Sequence, residues 1–164
     1  MSKKILFISH GYKPATNLGG PIESVSALAE NIMKQSLNYE INVCCTTDNL
    51  TSFITVENSF ANINNVKVLY FNSVSFYFWR ILGIKFKDQY LSLSIFNYLL
   101  INAKKYSLVH IHIPLSFLGL FGSLVCNFYK IPYLYHVRGC YSGGRLAGIG
   151  VFKTFWLKVV EKFI

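Results

Sequence analysis

Several groups of residues in this 164-residue sequence have types and spacings that could do chemistry. Gly19-Gly20-Pro21 stands between an apolar run and a helical pattern. Two physical readings of the pair are open. Glycine permits a tight turn and a helix cap. Alternatively, bare backbone N–H groups at a helix N-terminus let a phosphate or sugar approach closely. The pair has neither the G-x-G-x-x-G spacing of a dinucleotide site nor the G-K-[ST] of a P-loop. His110 and His112 alternate along one apolar run, so both point to the same face of a strand. A metal would need a third ligand, and the sequence places none. His112, nearer the carboxyl end, is the better placed to reach a ligand, and a structural role is expected for the other. His136-Val137-Arg138-Gly139 closes a later apolar run. Arg138 is a fixed cation that can hold phosphate through two N–H bonds, or a solvated surface arginine. His136 lies two residues earlier and faces the same side; neither residue is assigned as a general base. His10, directly after the first apolar run, is a further candidate.

Composition removes several chemistries. Asp and Glu total seven, with none paired at suggestive spacing, so hydrolysis by two carboxylates is not expected. No Ser-His-Asp or Cys-His arrangement can be assembled. The four cysteines, Cys44, Cys45, Cys126 and Cys140, show no C-x-x-C spacing and predict a reduced, cytoplasmic chain. The net charge is +9, yet the longest basic runs are the pairs Lys3-Lys4 and Lys104-Lys105. Nucleic-acid binders concentrate their cations, so nucleic acid is not an expected partner, whereas an anionic membrane surface or a sugar-phosphate ligand is.

These residues need elements to position them. The chain is 52% hydrophobic and only 14% charged, which predicts one well-cored domain rather than disorder. Lys4–Ser9, Glu40–Thr46, Val66–Phe71, Leu108–His112 and Pro132–Val137 are apolar runs expected to be strands, mostly buried on both faces. Pro21 to about Ser36 predicts a helix, with Ile22, Val25, Leu28, Ala29, Ile32 and Met33 on one face, Pro21 at the first helical position and Gly20 as cap. Tyr90–Ala103 predicts a second helix, with Leu91, Ile95, Leu99 and Leu100 inward. The uncharged window 108–126 is long enough to cross a bilayer, but Pro114 divides it into a strand and a helix, Leu115–Phe128. Asn72–Lys87 is aromatic and irregular, Arg138–Gly150 is a glycine-rich loop, and Val151–Ile164 is an amphipathic helix. Alternating strands and helices predict an α/β domain: a Rossmann-like, doubly wound parallel sheet, with ligands at the carboxyl ends of the strands.

Taken together, the pieces resemble the N-terminal half of family 4 glycosyltransferases. "KILFISHGYKPATNLGGPIESVSALAENIMKQ" is similar to that family's opening strand, loop, Gly-Gly-Pro and helix. "NYEINVCCTTD" resembles its second strand, "YSLVHIH" its D-[LV]-[VI]-H-x-H strand, "KIPYLYHVRGCY" its strand ending in [HR]-G, and "KTFWLKVVEKF" its following lysine-containing helix. The ordered set covers nearly the whole chain. The resemblance implies a GT-B fold, in which two Rossmann-like domains face each other across a cleft. The N-terminal domain holds mainly the acceptor, and the C-terminal domain the nucleotide-sugar. It implies sugar transfer with retention of configuration, with nucleotide-sugar as co-substrate and no metal or other cofactor. Gly19, Gly20, His112, Arg138 and Gly139 would then line the cleft, and the glycine N–H groups would approach the donor's phosphate or sugar. Where many members carry His-Gly, this chain has Arg138-Gly139, a variant that resembles some members acting on surface polysaccharides.

The sequence ends at Ile164 within the last predicted helix, before the donor domain and its E-x7-E element. Residues 1–164 are therefore expected to be an acceptor-side domain, inactive alone. Its expected partners are a sugar or lipid-linked sugar acceptor and a donor-domain chain. Its expected place is the cytoplasm, peripheral on the inner face of the cell membrane through the basic amphipathic tail. The alternatives are a non-catalytic, membrane-recruiting subunit of a two-chain glycosyltransferase and an unrelated Rossmann-like nucleotide-binding protein.

Overall fold

The computed structural model describes residues 2–15, 17, 19–35, 38–47, 59–73, 91–113, 116–136, 158 and 162. Strand β1 (Lys3–Ile8) leads through a loop to helix α1 (Gly20–Gln35), then β2 (Tyr39–Thr46). A hairpin of β3 (Phe60–Ile63) and β4 (Val66–Phe71) precedes α2 (Leu93–Asn102) and a 3-10 turn, Ala103–Lys105. The remaining elements are β5 (Leu108–Ile111), α3 (Phe117–Tyr129) and β6 (Tyr133–Tyr135). The fold is α/β: one six-stranded sheet in the order β3-β4-β2-β1-β5-β6. All neighbouring strands are parallel except the β3–β4 pair, which is antiparallel.

The strands are apolar on both sides because both sides are covered. Ile5, Phe7, Ile41, Val43, Val66 and Val68 face one way, onto Val25 and Ala29 of α1. Leu6, Ile8, Cys44, Val109 and Ile111 face the other way, onto Ile95 and Leu99 of α2 and Leu118, Val125 and Cys126 of α3. Each fully buried aliphatic side chain is worth about 1.5–3 kcal/mol against exposure. Serines start the two helices on the second face. Ser92 Oγ accepts from Ile95 N at 3.3 Å and donates to Asn72 O at 2.7 Å. Ser116 Oγ accepts from Gly119 N at 3.0 Å and donates to Ile113 O at 3.1 Å. Each hydroxyl thus satisfies one orphan N–H of a first turn and ties it to the preceding chain.

Several expectations are corrected. The sheet is not all parallel: β3 is an additional edge strand, joined to β4 by Asn64-Asn65 with φ of 50° and 67°. Two positive φ values are the geometry of a tight hairpin turn, which asparagine tolerates. Leu100 is 38% exposed because it lies off the Ile95–Leu99 stripe; Leu28 is likewise on the outer side of α1. Both remain consistent with 100° per residue once the buried stripe is fixed by Ile95/Leu99 and Val25/Ala29. The window 108–126 does divide into β5 and α3, and no helix among the described residues is long and apolar enough to cross a membrane. Of the predicted tail helix, Lys158 and Lys162 are described, both helical and exposed; the aromatic stretch beyond Ser73 and the loop Arg138–Gly150 lie outside the described residues.

Candidate functional site at the carboxyl edge of the sheet

In a parallel sheet all carboxyl ends lie on one edge, and here the chain departs from β1 in opposite directions. It runs to β2 on one side and later returns to β5 on the other. The β1/β5 boundary is therefore the point where the strand order reverses, the place at which sheets of this kind bind ligands. Ser9 ends β1 beside His112, whose N–H donates to Ile8 O at 2.9 Å. Ser9 Oγ is buried and has no hydrogen-bond partner among the described residues, so it is available to a ligand or a water.

The loop after β1 is held by side chains from three elements, β2, β4 and α1. Thr46 Oγ1 at the end of β2 donates to His10 O at 2.5 Å. Tyr70 of β4 donates its hydroxyl to Lys13 O. Lys13 Nζ lies 2.6 Å from Glu30 Oε1 on α1, and Asn64 Nδ2 donates to Glu30 Oε2 at 2.9 Å. Burial opposes charge on Glu30, but the hydrogen bonds from Lys13 and Asn64, with the lysine charge, outweigh it and hold the carboxyl below its ordinary value. Tyr12 is fully buried in the core on the α1 face of the sheet. The result is a fastened loop that delivers Gly19 to the start of α1.

Gly19, not Gly20, is the cap. Its φ is +69°, and its carbonyl accepts the first helical bonds, from Ile22 N at 3.0 Å and Glu23 N at 3.5 Å. Gly20 then opens the helix and Pro21 follows inside the first turn, where its missing N–H is harmless. A Cβ added at either glycine would meet none of the described residues within 4 Å. Gly19 is thus required by its backbone conformation, whereas no contact with the described residues requires Gly20. Open space over the positive end of a helix suits an approaching phosphate or sugar oxygen.

The histidines converge more than their spacing foretold. β5 alternation puts His110 and His112 on the same face as Phe7, with ring centroids 3.9 Å apart. Phe7 meets His110 edge-on at 5.1 Å and His112 at 4.7 Å. The parallel register pairs Ile111 with Tyr135, and His136 N donates to Ile111 O at 2.8 Å, which sets His136 level with His112. The centroids of His136 lie 5.8 Å from His110 and 5.5 Å from His112. His136, read from sequence only as a neighbour of Arg138, is therefore the third member of a histidine cluster. The cluster spans the burial range: His112 is 1% exposed, His110 intermediate and His136 exposed. His10 is half-buried and contributes its carbonyl to the Thr46 bond. Arg138 and Gly139 lie outside the described residues.

The described cysteines do not compete. Cys44, Cys45 and Cys126 are buried free thiols. Burial pushes each thiol up, Cys126 to about 12, which disfavours the thiolate needed for nucleophilic chemistry. Two surface depressions, one around Lys130, Tyr133 and Leu134 and one around Lys3, Tyr39 and Leu108, lie on the β6 edge and at the amino ends of β1 and β2, away from the carboxyl-edge residues. Comparison of the chain with models of known protein families, with curated proteins and with solved structures finds no match.

Proposed function

We propose that this chain is the acceptor-side domain of a retaining glycosyltransferase of the GT-B architecture. It would move a sugar from a nucleotide-sugar to a polysaccharide or lipid-linked acceptor in surface-glycan synthesis. The observation that carries the reading is the pair Gly19-Gly20 at the start of α1 on the carboxyl edge, with no described residue within 4 Å of a Cβ added at either. Helices on both faces of a mostly parallel sheet, with the strand order reversing beside β1, support a doubly wound, Rossmann-like arrangement. The sequence segments that resemble family 4 glycosyltransferases fall in order on β1–α1, β2, β5 and β6.

In this reading the Gly20 N–H and the α1 dipole stabilise charge on the donor's leaving phosphate. His112, directly after β5, and Arg138 orient the transferred sugar and the acceptor. The nucleotide is held by a donor half outside residues 1–164, on the same chain or a partner, so these residues alone do not complete transfer. A lipid-linked acceptor would keep the protein at the membrane surface, with the basic tail helix as the contact.

The reading is tested by titrating UDP-, GDP- and ADP-sugars, and NAD, into the 164-residue chain by calorimetry. Millimolar or weaker binding of all of them is expected, since the nucleotide contacts belong to the other half. Micromolar binding of any one would overturn the assignment and make the chain a nucleotide-binding protein in its own right.

A further inference from the structure

We infer that His110, His112 and His136 form a binding site for a divalent transition-metal cation of the zinc class. The three imidazoles come from two adjacent parallel strands, and their ligand atoms all lie within 4.8 Å of one another. The arrangement follows from the fold. Period-two alternation brings His110 and His112 to one face, and the β5–β6 register brings His136 to the same level.

The donor set selects the cation. The cluster contains only imidazole nitrogens, with no carboxylate in the group. Imidazole suits zinc, copper, nickel and cobalt, whereas magnesium and calcium take oxygen ligands. A tetrahedral zinc with Zn–N bonds of about 2.0–2.1 Å holds its donors about 3.3 Å apart. Closing from 4.8 Å to that spacing is a shift of about 1.5 Å, the kind of change that the last side-chain torsion, broad for histidine, can supply. The edge of Phe7 against His110 limits how far that ring can turn away. Exposed His136 provides the entry path, and buried His112 the dry floor of the site. Three protein ligands leave a fourth position for water or a ligand oxygen, the pattern of an open zinc site. That position lies at the carboxyl edge of β5 and β6, on the margin of the proposed cleft. The resemblance implies sugar transfer without a metal, so this is a site of its own, and its test reads metal rather than transfer.

The probe is Zn2+ alone, titrated into the full chain, with X-ray absorption spectroscopy of the loaded protein. One Zn2+ per chain with micromolar or tighter affinity is expected, with a nitrogen/oxygen shell at about 2.0 Å. His136→Ala and His110→Ala should each weaken binding about 100-fold or more, since loss of a direct ligand exceeds the 10–100-fold typical of supporting contacts. Both variants should keep the far-ultraviolet circular dichroism of the parent. His10→Ala, which changes the histidine outside the cluster, should leave affinity unchanged. Affinity should also fall at acid pH, because protons compete for the imidazoles. The proposal is overturned by absence of stoichiometric binding, by parent-level affinity in either the His110→Ala or the His136→Ala protein, or by a sulfur shell at about 2.3 Å.

Discussion

Replacing Gly19 and Gly20 singly by alanine separates what the fold needs from what a ligand needs. Gly19 has φ +69°, in the left-handed region, and an added Cβ would touch none of the described residues within 4 Å. The cost of Gly19→Ala is therefore backbone strain alone, about 1–2 kcal/mol. Gly20 opens α1 with none of the described residues within 4 Å of an added Cβ. Alanine there carries no strain and gains some of the roughly 1 kcal/mol by which it exceeds glycine in helices. The two variants should thus differ by about 1–3 kcal/mol, with Gly20→Ala equal to or above the parent. Urea unfolding followed by circular dichroism reads this directly. With a slope of about 2 kcal/mol per molar, the Gly19→Ala midpoint should fall by roughly 0.5–1 M while that of Gly20→Ala holds or rises. Gly19→Asn should recover part of the loss, because asparagine tolerates the left-handed region. Equal losses at both positions, or a greater loss at Gly20, would refute the assignment of Gly19 as the strained cap.

Three further outcomes follow from the packing. A Cβ on Gly119 would lie under 3.0 Å from the Ile113 carbonyl oxygen and 2.9 Å from Tyr135 Oη, so Gly119→Ala should cost about 1–3 kcal/mol. Gly122→Ala presses instead on the movable ends of Ile8 and Ile111, at 2.9 and 3.2 Å, and should cost less than about 1 kcal/mol; equal urea midpoints would contradict this. Glu30 is held below its ordinary value of 4.5, so its folded state favours the charged form: its contribution is complete above that pH and is lost as the pH falls below it. Glu30→Gln should destabilise by about 1–2 kcal/mol near neutral pH, and the difference from the parent should shrink in acid. Tyr106 Oη accepts from Asn42 Nδ2 at 3.0 Å in a buried setting and pairs with Tyr98 Oη at 2.6 Å in a part-buried one; Tyr106→Phe should cost about 1–3 kcal/mol by leaving the Asn42 amide without that acceptor, and a neutral result in thermal unfolding would count against the network.

Much of the framework is legible in the sequence because burial on both faces writes continuous apolar runs. β1 and β2 follow that rule, whereas β4 and β5 alternate buried with half-buried or exposed positions and are read from their apolar content. The α/β class follows from their alternation with helices. β3 is harder to read: it is a short edge strand whose Phe60 is 57% exposed, so no apolar run marks it. Its signal is the turn, Asn64-Asn65, between two short extended pieces. The cap at Gly19 was displaced by one residue because proline is tolerated anywhere in a first helical turn, so Pro21 does not fix where α1 begins. The histidine cluster shows a different limit. Alternation along one strand is local and readable, which brings His110 and His112 together. The approach of His136 depends on which strands pair and in what register, and that is decided by the crossover through α3 rather than by any local pattern.

The central claim is that Gly20 keeps a helix N-terminus open for the donor of a sugar transfer. The decisive measurement is transfer of labelled sugar from a panel of nucleotide-sugars to membrane lipid and polysaccharide extracts. It should use the protein isolated from its own cells with whatever remains bound to it, with and without Gly20→Ala. The account predicts transfer by the parent protein and at least about a tenfold loss in the variant, an amount equivalent to about 1.4 kcal/mol at the transition state, with stability unchanged. No transfer from any donor, or full activity in the Gly20→Ala protein, would contradict it.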